Sequence, residues 1–133
     1  MSNFQYMLAP MEDFTGPAFR TLSYKYGADL TFTEMIRVGG LARNNKSTWS
    51  RLSVDDDTPT AIQLLVAKDS LLRTFLKDFS PDSKGFKGFN LNIGCPSPDI
   101  IRTGQGCALI KRINKVKTLL EIIKDHGYPA SVK

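Results

Sequence analysis

Short apolar runs alternate along this chain with stretches whose apolar residues recur at spacings of three and four. A run of the first kind makes a buried strand and a stretch of the second kind an amphipathic helix. Their alternation demands a parallel sheet, because each crossover helix must return the chain across one face of the sheet. Residues 6–9, Tyr-Met-Leu-Ala, stop at Pro10 and read as a first, buried strand. Thr15 or Gly16 caps a helix that Pro17 opens, with Phe19, Leu22 and Tyr26 on its inner side and Gly27 at its end. Residues 30–35 form a second strand. Residues 37–60 carry breaks at Gly39-Gly40 and Asn44-Asn45, with a short helix over 48–52. Residues 61–66 are a third strand. Asp69 or Ser70 caps a helix whose inner face is Leu71, Leu72, Phe75, Leu76 and Phe79. Residues 88–93 are a fourth strand. A helix from Asn114, with Ile113, Val116, Leu119, Leu120 and Ile123 inward, ends at His126-Gly127, and residues 130–133 open a fifth strand.

Two architectures place strands this way, an open doubly wound sheet and a (β/α)₈ TIM barrel. No GxGxxG follows the first strand, which argues against the first. The second needs eight strands and about 250 residues, whereas this chain has 133. The expected fold is therefore α/β: residues 1–133 form one N-terminal part of a TIM barrel, with about five strands. An open sheet of this kind leaves edge strands unpaired and exposes inner apolar residues such as Leu64, Val66 and Leu91, so self-association is expected.

Apolar residues make up 41% of the chain and charged residues 23%, which supports an ordinary core. The net charge of +5 suits a polyanion such as nucleic acid or a phosphorylated ligand. The two cysteines form no CxxC pair, no apolar stretch reaches membrane-spanning length, and the start Met1-Ser2-Asn3-Phe4 carries no secretion signal. These features point to free thiols in a reducing cytoplasm, with no membrane partner. Asp55-Asp56-Asp57 lacks metal-ligand spacing and reads as a turn before Pro59.

In parallel α/β folds chemistry gathers where strands end. Here the ends carry Ala9-Pro10-Met11, Thr33-Glu34-Met35, Gln63 within an apolar run, Asn92-Ile93-Gly94-Cys95-Pro96, and Lys133. Singly, Gln63 could be a satisfied core amide, Glu34 an ion-pair partner and Cys95 a small hydrophobe. Together they converge on one mouth. Gly94 allows close approach of a ligand and Pro96 turns the chain out of the strand, so Cys95 is presented at the rim. A nucleophilic role needs a base, and the one histidine, His126, lies at a helix end on the other side of the fold. A metal site lacks partners. A thiol that keeps its proton at neutral pH can serve instead as a general acid.

The segments LAPMEDFTGPAFR (8–20), TFTEMI (31–36), AIQLL (61–65), NLNIGCPSP (90–98), TGQGCAL (103–109) and SVK (131–133) together resemble the tRNA-dihydrouridine synthases. The resemblance implies an FMN-bound barrel followed by a helical tRNA-binding domain. It implies hydride transfer from reduced flavin to C6 of a tRNA uracil, with NADPH or NADH as reductant. By the same resemblance Cys95 is similar to the acid that protonates C5, and Asn92 to the residue that orients the uracil. Pro10 and Met11 resemble the backbone beside the flavin ring, and Gln63 and Lys133 the side chains at its polar edge. Cys107 stands where alanine is usual, and Asn90 where aspartate is common. The family's late phosphate-binding loops, its helical domain and a downstream histidine have no counterpart within these residues, so the chain alone is expected to be inactive. A non-catalytic half-barrel that binds RNA or itself, and another FMN barrel such as a dihydroorotate-type dehydrogenase, remain alternatives.

Overall fold

The computed structural model describes residues 5–54, 56–81 and 83–133. The start at residues 1–4 and the first aspartate of the 55–57 cluster lie outside them. The expected α/β fold is present as one parallel sheet of five strands. They are β1 (Thr31–Phe32), β2 (Ile36–Arg37), β3 (Thr60–Leu65), β4 (Phe86–Leu91) and β5 (Ala130–Val132). β3 pairs with β1 and β2 on one side and with β4 on the other, and β4 pairs with β5.

The expected second strand is split into β1 and β2. Phe32 lies opposite Ala61, but Ile36 lies opposite Leu64, so the β1–β2 side holds one extra residue. Thr33 absorbs this bulge: its Oγ1 accepts the Gln63 N–H at 3.0 Å, replacing a ladder carbonyl. β4 carries a second irregularity at Gly88, whose φ is +119° and whose missing side chain leaves room for the Pro129 carbonyl.

The first expected strand shrinks to an isolated parallel bridge, Met7 with Leu30. It is not buried: Tyr6 and Met7 are 65% and 53% exposed, since only one flank of the segment has a partner among the described residues. α1 (Pro17–Lys25) starts after Gly16 and stops before Gly27 as expected, yet Phe19, Leu22 and Tyr26 face outward and its buried side chain is Arg20. Gly39-Gly40 does not break the chain but lies inside a short helix, α2 (Val38–Leu41), and α3 (Lys46–Ser50) begins where Asn45 Oδ1 accepts the Thr48 N–H.

One face of the sheet is apolar and covered. Ile62, Leu64, Phe89 and Leu91 pack beneath α4 (Asp69–Asp78) and α6 (Ile113–Asp125) through Leu72, Phe75, Leu76, Val116, Leu119, Ile122 and Ile123. Leu64, Val66 and Leu91 are thus fully covered by this layer and are not the uncovered inner face. Phe75, Phe79, Phe86, Phe89 and Tyr128 interlock with ring centroids 5.1–5.8 Å apart. On α6 the inward set includes Ile122, while Ile113 is exposed and Leu120 half-buried. Lys68, not Asp69 or Ser70, is the α4 cap; Asp69 reaches Lys115 of α6 at 2.8 Å.

Asp56 accepts hydrogen bonds from Thr21 Oγ1, Thr58 N and Thr58 Oγ1 in the turn before Pro59. The Thr21 hydroxyl, then the Thr58 groups and the Arg20 charge, outweigh desolvation and hold its carboxyl below the ordinary aspartate value. A lowered carboxylate pKa stabilises the fold above the unfolded-state value, and the contribution is lost as pH falls through the folded-state value. Thr21→Val should therefore move acid unfolding to higher pH, followed by circular dichroism; an unchanged acid midpoint would remove this role. In denaturant unfolding, Leu119→Ala should cost about 2–5 kcal/mol, and Leu120→Ala distinctly less.

Candidate active site

The face away from α4 and α6 is polar. Side chains alternate across a sheet, so Gln63, Asn90, Asn92, Ser131 and Lys133 share that face. In register, Gln63 lies opposite Asn90 and Asn90 opposite Ser131. Gln63 Nε2 donates to Asn90 Oδ1 at 2.7 Å, and Asn90 Nδ2 donates to Ser131 Oγ at 2.9 Å. Asn92 Nδ2 donates to Gln63 Oε1 at 3.1 Å. Gln63, Asn90 and Asn92 are all buried, and this mutual bonding is what lets three carboxamides lie in a folded interior.

Asn92 extends the network into the loop. Its Oδ1 accepts the backbone N–H groups of Gly94 at 3.2 Å and Cys95 at 2.9 Å, an Asx turn that ends the strand. The turn fixes the backbone of Cys95, which is half-buried, as the strand leaves the sheet. A second clamp comes from residues 103–109, where α5 (Pro98–Arg102) is followed by a 3₁₀ turn over Gly106–Leu109. Cys107 N–H donates to Cys95 O at 3.0 Å. Gly106 has φ +59°, and a Cβ there would sit 2.6 Å from Cys95 O. The glycine is therefore required by both conformation and space.

Lys133 continues the β5 register: its N–H donates to Leu91 O and its carbonyl accepts from Ile93 N, so it lies beside Asn92. Met11, next to Pro10, is held by groups other than the carboxamide network. Thr15 Oγ1 accepts Met11 N–H and donates to Met11 O, and the buried Arg20 donates to Thr15 O at 2.7 Å and to Ser53 O at 2.6 Å. This rivets the 11–15 loop by a system of its own. Glu34 and Glu12 both lie at the long edge of ion-pair distance from Arg51, at 4.0 and 3.9 Å. His126 caps α6 with Nδ1 on Ile122 O, remote from β4's end. A cleft of about 330 Å³ lined by Trp49, Phe79 and Phe86 lies on the helix-covered side and contains none of these groups.

Asn92, Gln63 and Lys133 thus share one face of the sheet, and Cys95 follows in the loop whose backbone Asn92 holds. Sequence reasoning missed the parts played by Asn90, Ser131 and Thr33. Asn90 and Asn92 flank the apolar Leu91, and that alternation was the available signal for a shared polar face.

The sequence model of the dihydrouridine synthase (Dus) family matches residues 7–133. The chain belongs to the dihydrouridine synthase family. It is 32% identical over 117 residues to the tRNA-dihydrouridine(20a/20b) synthase [NAD(P)+] of Saccharomyces cerevisiae, covering 87% of this chain and 31% of that protein. It is 32% identical over 132 residues to the probable tRNA-dihydrouridine synthase 2 of Bacillus subtilis, covering 96% of this chain and 40% of the relative. A probable tRNA-dihydrouridine synthase of Aquifex aeolicus is 29% identical over 137 residues, with 96% and 41% covered. The chain therefore spans 31–41% of the length of these relatives. The matched span, residues 7–133, includes the carboxamide network and the clamped Cys95 loop.

Gly106→Ala should strain the clamp by about 1–3 kcal/mol and free the Cys95 loop. Alkylation of Cys95 by iodoacetamide should then be faster than in the wild-type chain; an equal rate would show that the clamp does not hold the thiol.

Proposed function

We propose that this chain supplies the uridine-reducing half of a flavin-dependent tRNA-dihydrouridine synthase in the cytoplasm. The observation that carries the reading is the Asx turn from Asn92, anchored through Gln63, that presents Cys95 at the end of β4. The donor set fits FMN. Gln63 and Asn92 each spend one amide hydrogen within the network, and the exposed Lys133 adds an ammonium on the same face. Such donors suit the carbonyl-rich edge of an isoalloxazine ring and of a uracil. Gln63 and Lys133 would hold the ring's polar edge, with the backbone of Pro10 and of the riveted Met11 beside it. Bound and reduced by NADPH or NADH, the flavin supplies a hydride to uracil C6.

The protein's own part is positional and acidic. Cys95 Sγ gives its proton to uracil C5. Asn92 holds the thiol's backbone and offers its amide to the base. The target uridine must leave its stack to reach a thiol at a strand end. The net charge of +5 suits the tRNA phosphates.

A further observation favours self-association of the chain when it stands alone. The Met7 edge and Val132 are exposed, no strand pairs beyond β5 among the described residues, and Phe19, Leu22 and Tyr26 line the outer side of α1. Sedimentation combined with flavin titration should show dimers or larger species with weak FMN binding. A monomer that binds FMN at sub-micromolar levels would overturn both expectations.

The catalytic reading is tested by joining this chain to the remaining portion of the Bacillus subtilis relative and measuring dihydrouridine on unmodified tRNA. The chimera should be active, and Cys95→Ala should keep flavin while lowering turnover by about 10²–10⁴. Near-normal turnover in Cys95→Ala would refute the assignment.

A further inference from the structure

We propose that Cys107 is a resolving thiol for Cys95, and that the two close a reversible disulfide at the candidate site. The Cys107 N–H donates to the Cys95 carbonyl at 3.0 Å. Covalent dimensions on either side of that bond keep the two α-carbons within about 7 Å, close to the span of about 4.4–6.8 Å that a disulfide bridges. The segment that carries Cys107 also passes close to the Cys95 side chain. A Cβ on Gly106, the residue before Cys107, would lie 3.2 Å from the Cβ of Cys95. Gly104 and Gly106, at φ +73° and +59°, fold the chain back over the Cys95 loop. Both residues are half-buried, so neither is sealed from solvent. The buried residues of the 3₁₀ turn are Gly106 and Leu109, and Cys107 belongs to neither the core cluster nor the carboxamide network.

The oxidant is a low-molecular-weight disulfide such as oxidised glutathione. The Cys95 thiolate attacks one sulfur of that disulfide, its S–S bond breaks, and one glutathione thiolate leaves. The Cys107 thiolate then attacks the Cys95 sulfur of the mixed disulfide and expels the second glutathione. The leaving thiolates take up the two protons lost by the cysteines. Two cysteine thiols are oxidised to one cystine and one glutathione disulfide is reduced to two glutathiones. On the catalytic reading, and only there does the proposal rest on it, the cystine leaves Cys95 without a proton to give.

Tryptic cleavage after Lys87, Arg102 and Lys111 places Cys95 and Cys107 on separate peptides. The native chain is treated with oxidised glutathione and mapped by mass spectrometry without reduction. Wild type should yield the two peptides joined within one chain, with the mass of two hydrogens lost and no glutathione retained. Cys107→Ala and Cys107→Ser should each retain one glutathione on Cys95. Glutathione retained on Cys95 in the wild type, or a Cys95–Cys107 link found only between two copies, overturns the proposal. The map contains no activity measurement, so its failure leaves the catalytic reading untouched, and loss of the catalytic reading leaves the map unchanged.

Discussion

The hydrogen bond between Asn92 and Gln63 connects the two halves of this structure. Without it a buried carboxamide on β3 would have an unpaired oxygen, and the carboxamide that ends β4 would lose its anchor. An unsatisfied buried polar group costs about 1–3 kcal/mol, so the bond is enforced by burial. Once Asn92 is held, its Oδ1 has one arrangement that satisfies both Gly94 and Cys95 N–H. The position of the Cys95 backbone therefore follows from the packing of the sheet. The same logic runs outward: the bulge at Thr33 gives Gln63 N–H an acceptor, and Ser131 completes Asn90. The sheet is thus two-sided in its chemistry, greasy against α4 and α6 and polar on the face where strand ends meet.

How much of this was legible varies with how directly a pattern encodes burial. α4 and α6 were readable because Leu72, Phe75, Leu76, Val116, Leu119 and Ile123 recur at helical spacing and bury against a sheet already present in the chain. The α1 pattern was equally clear but its apolar side faces outward: periodicity reports an apolar face, not what covers it. The first strand failed for a related reason, since Tyr6 and Met7 have the composition of a strand without a neighbour on both sides. The split of β1 from β2 was invisible because a bulge depends on cross-strand register, which no local window contains. Gly39-Gly40 looked like a break, yet tertiary contact overrode its low helix propensity.

The site was legible residue by residue and not as a network. Cys95 between Gly94 and Pro96 announces a presented thiol, and Gln63 in an apolar run announces a buried amide. That Gln63 and Asn92 bond to each other, and that Asn92 serves Cys95, required the register of β3 against β4. Clamping by the 103–109 segment was hidden too, because its glycines signal unusual backbone without saying which carbonyl they approach. The physical reason these polar strand ends stay folded is the carboxamide bonding among Gln63, Asn90 and Asn92.

The central claim is that Gln63, through Asn92, positions the Cys95 loop. Native-state hydrogen exchange in Gln63→Met, a substitution of similar volume, tests it most directly. Removing the Asn92 anchor should speed exchange of the Gly94 and Cys95 amides by roughly tenfold or more, given the cost of a lost buried partner. The amides of Leu64 and Leu91 on the helix-covered side should stay protected. If Gly94 and Cys95 exchange at the wild-type rate while Gln63→Met remains folded, the carboxamide network does not hold the thiol.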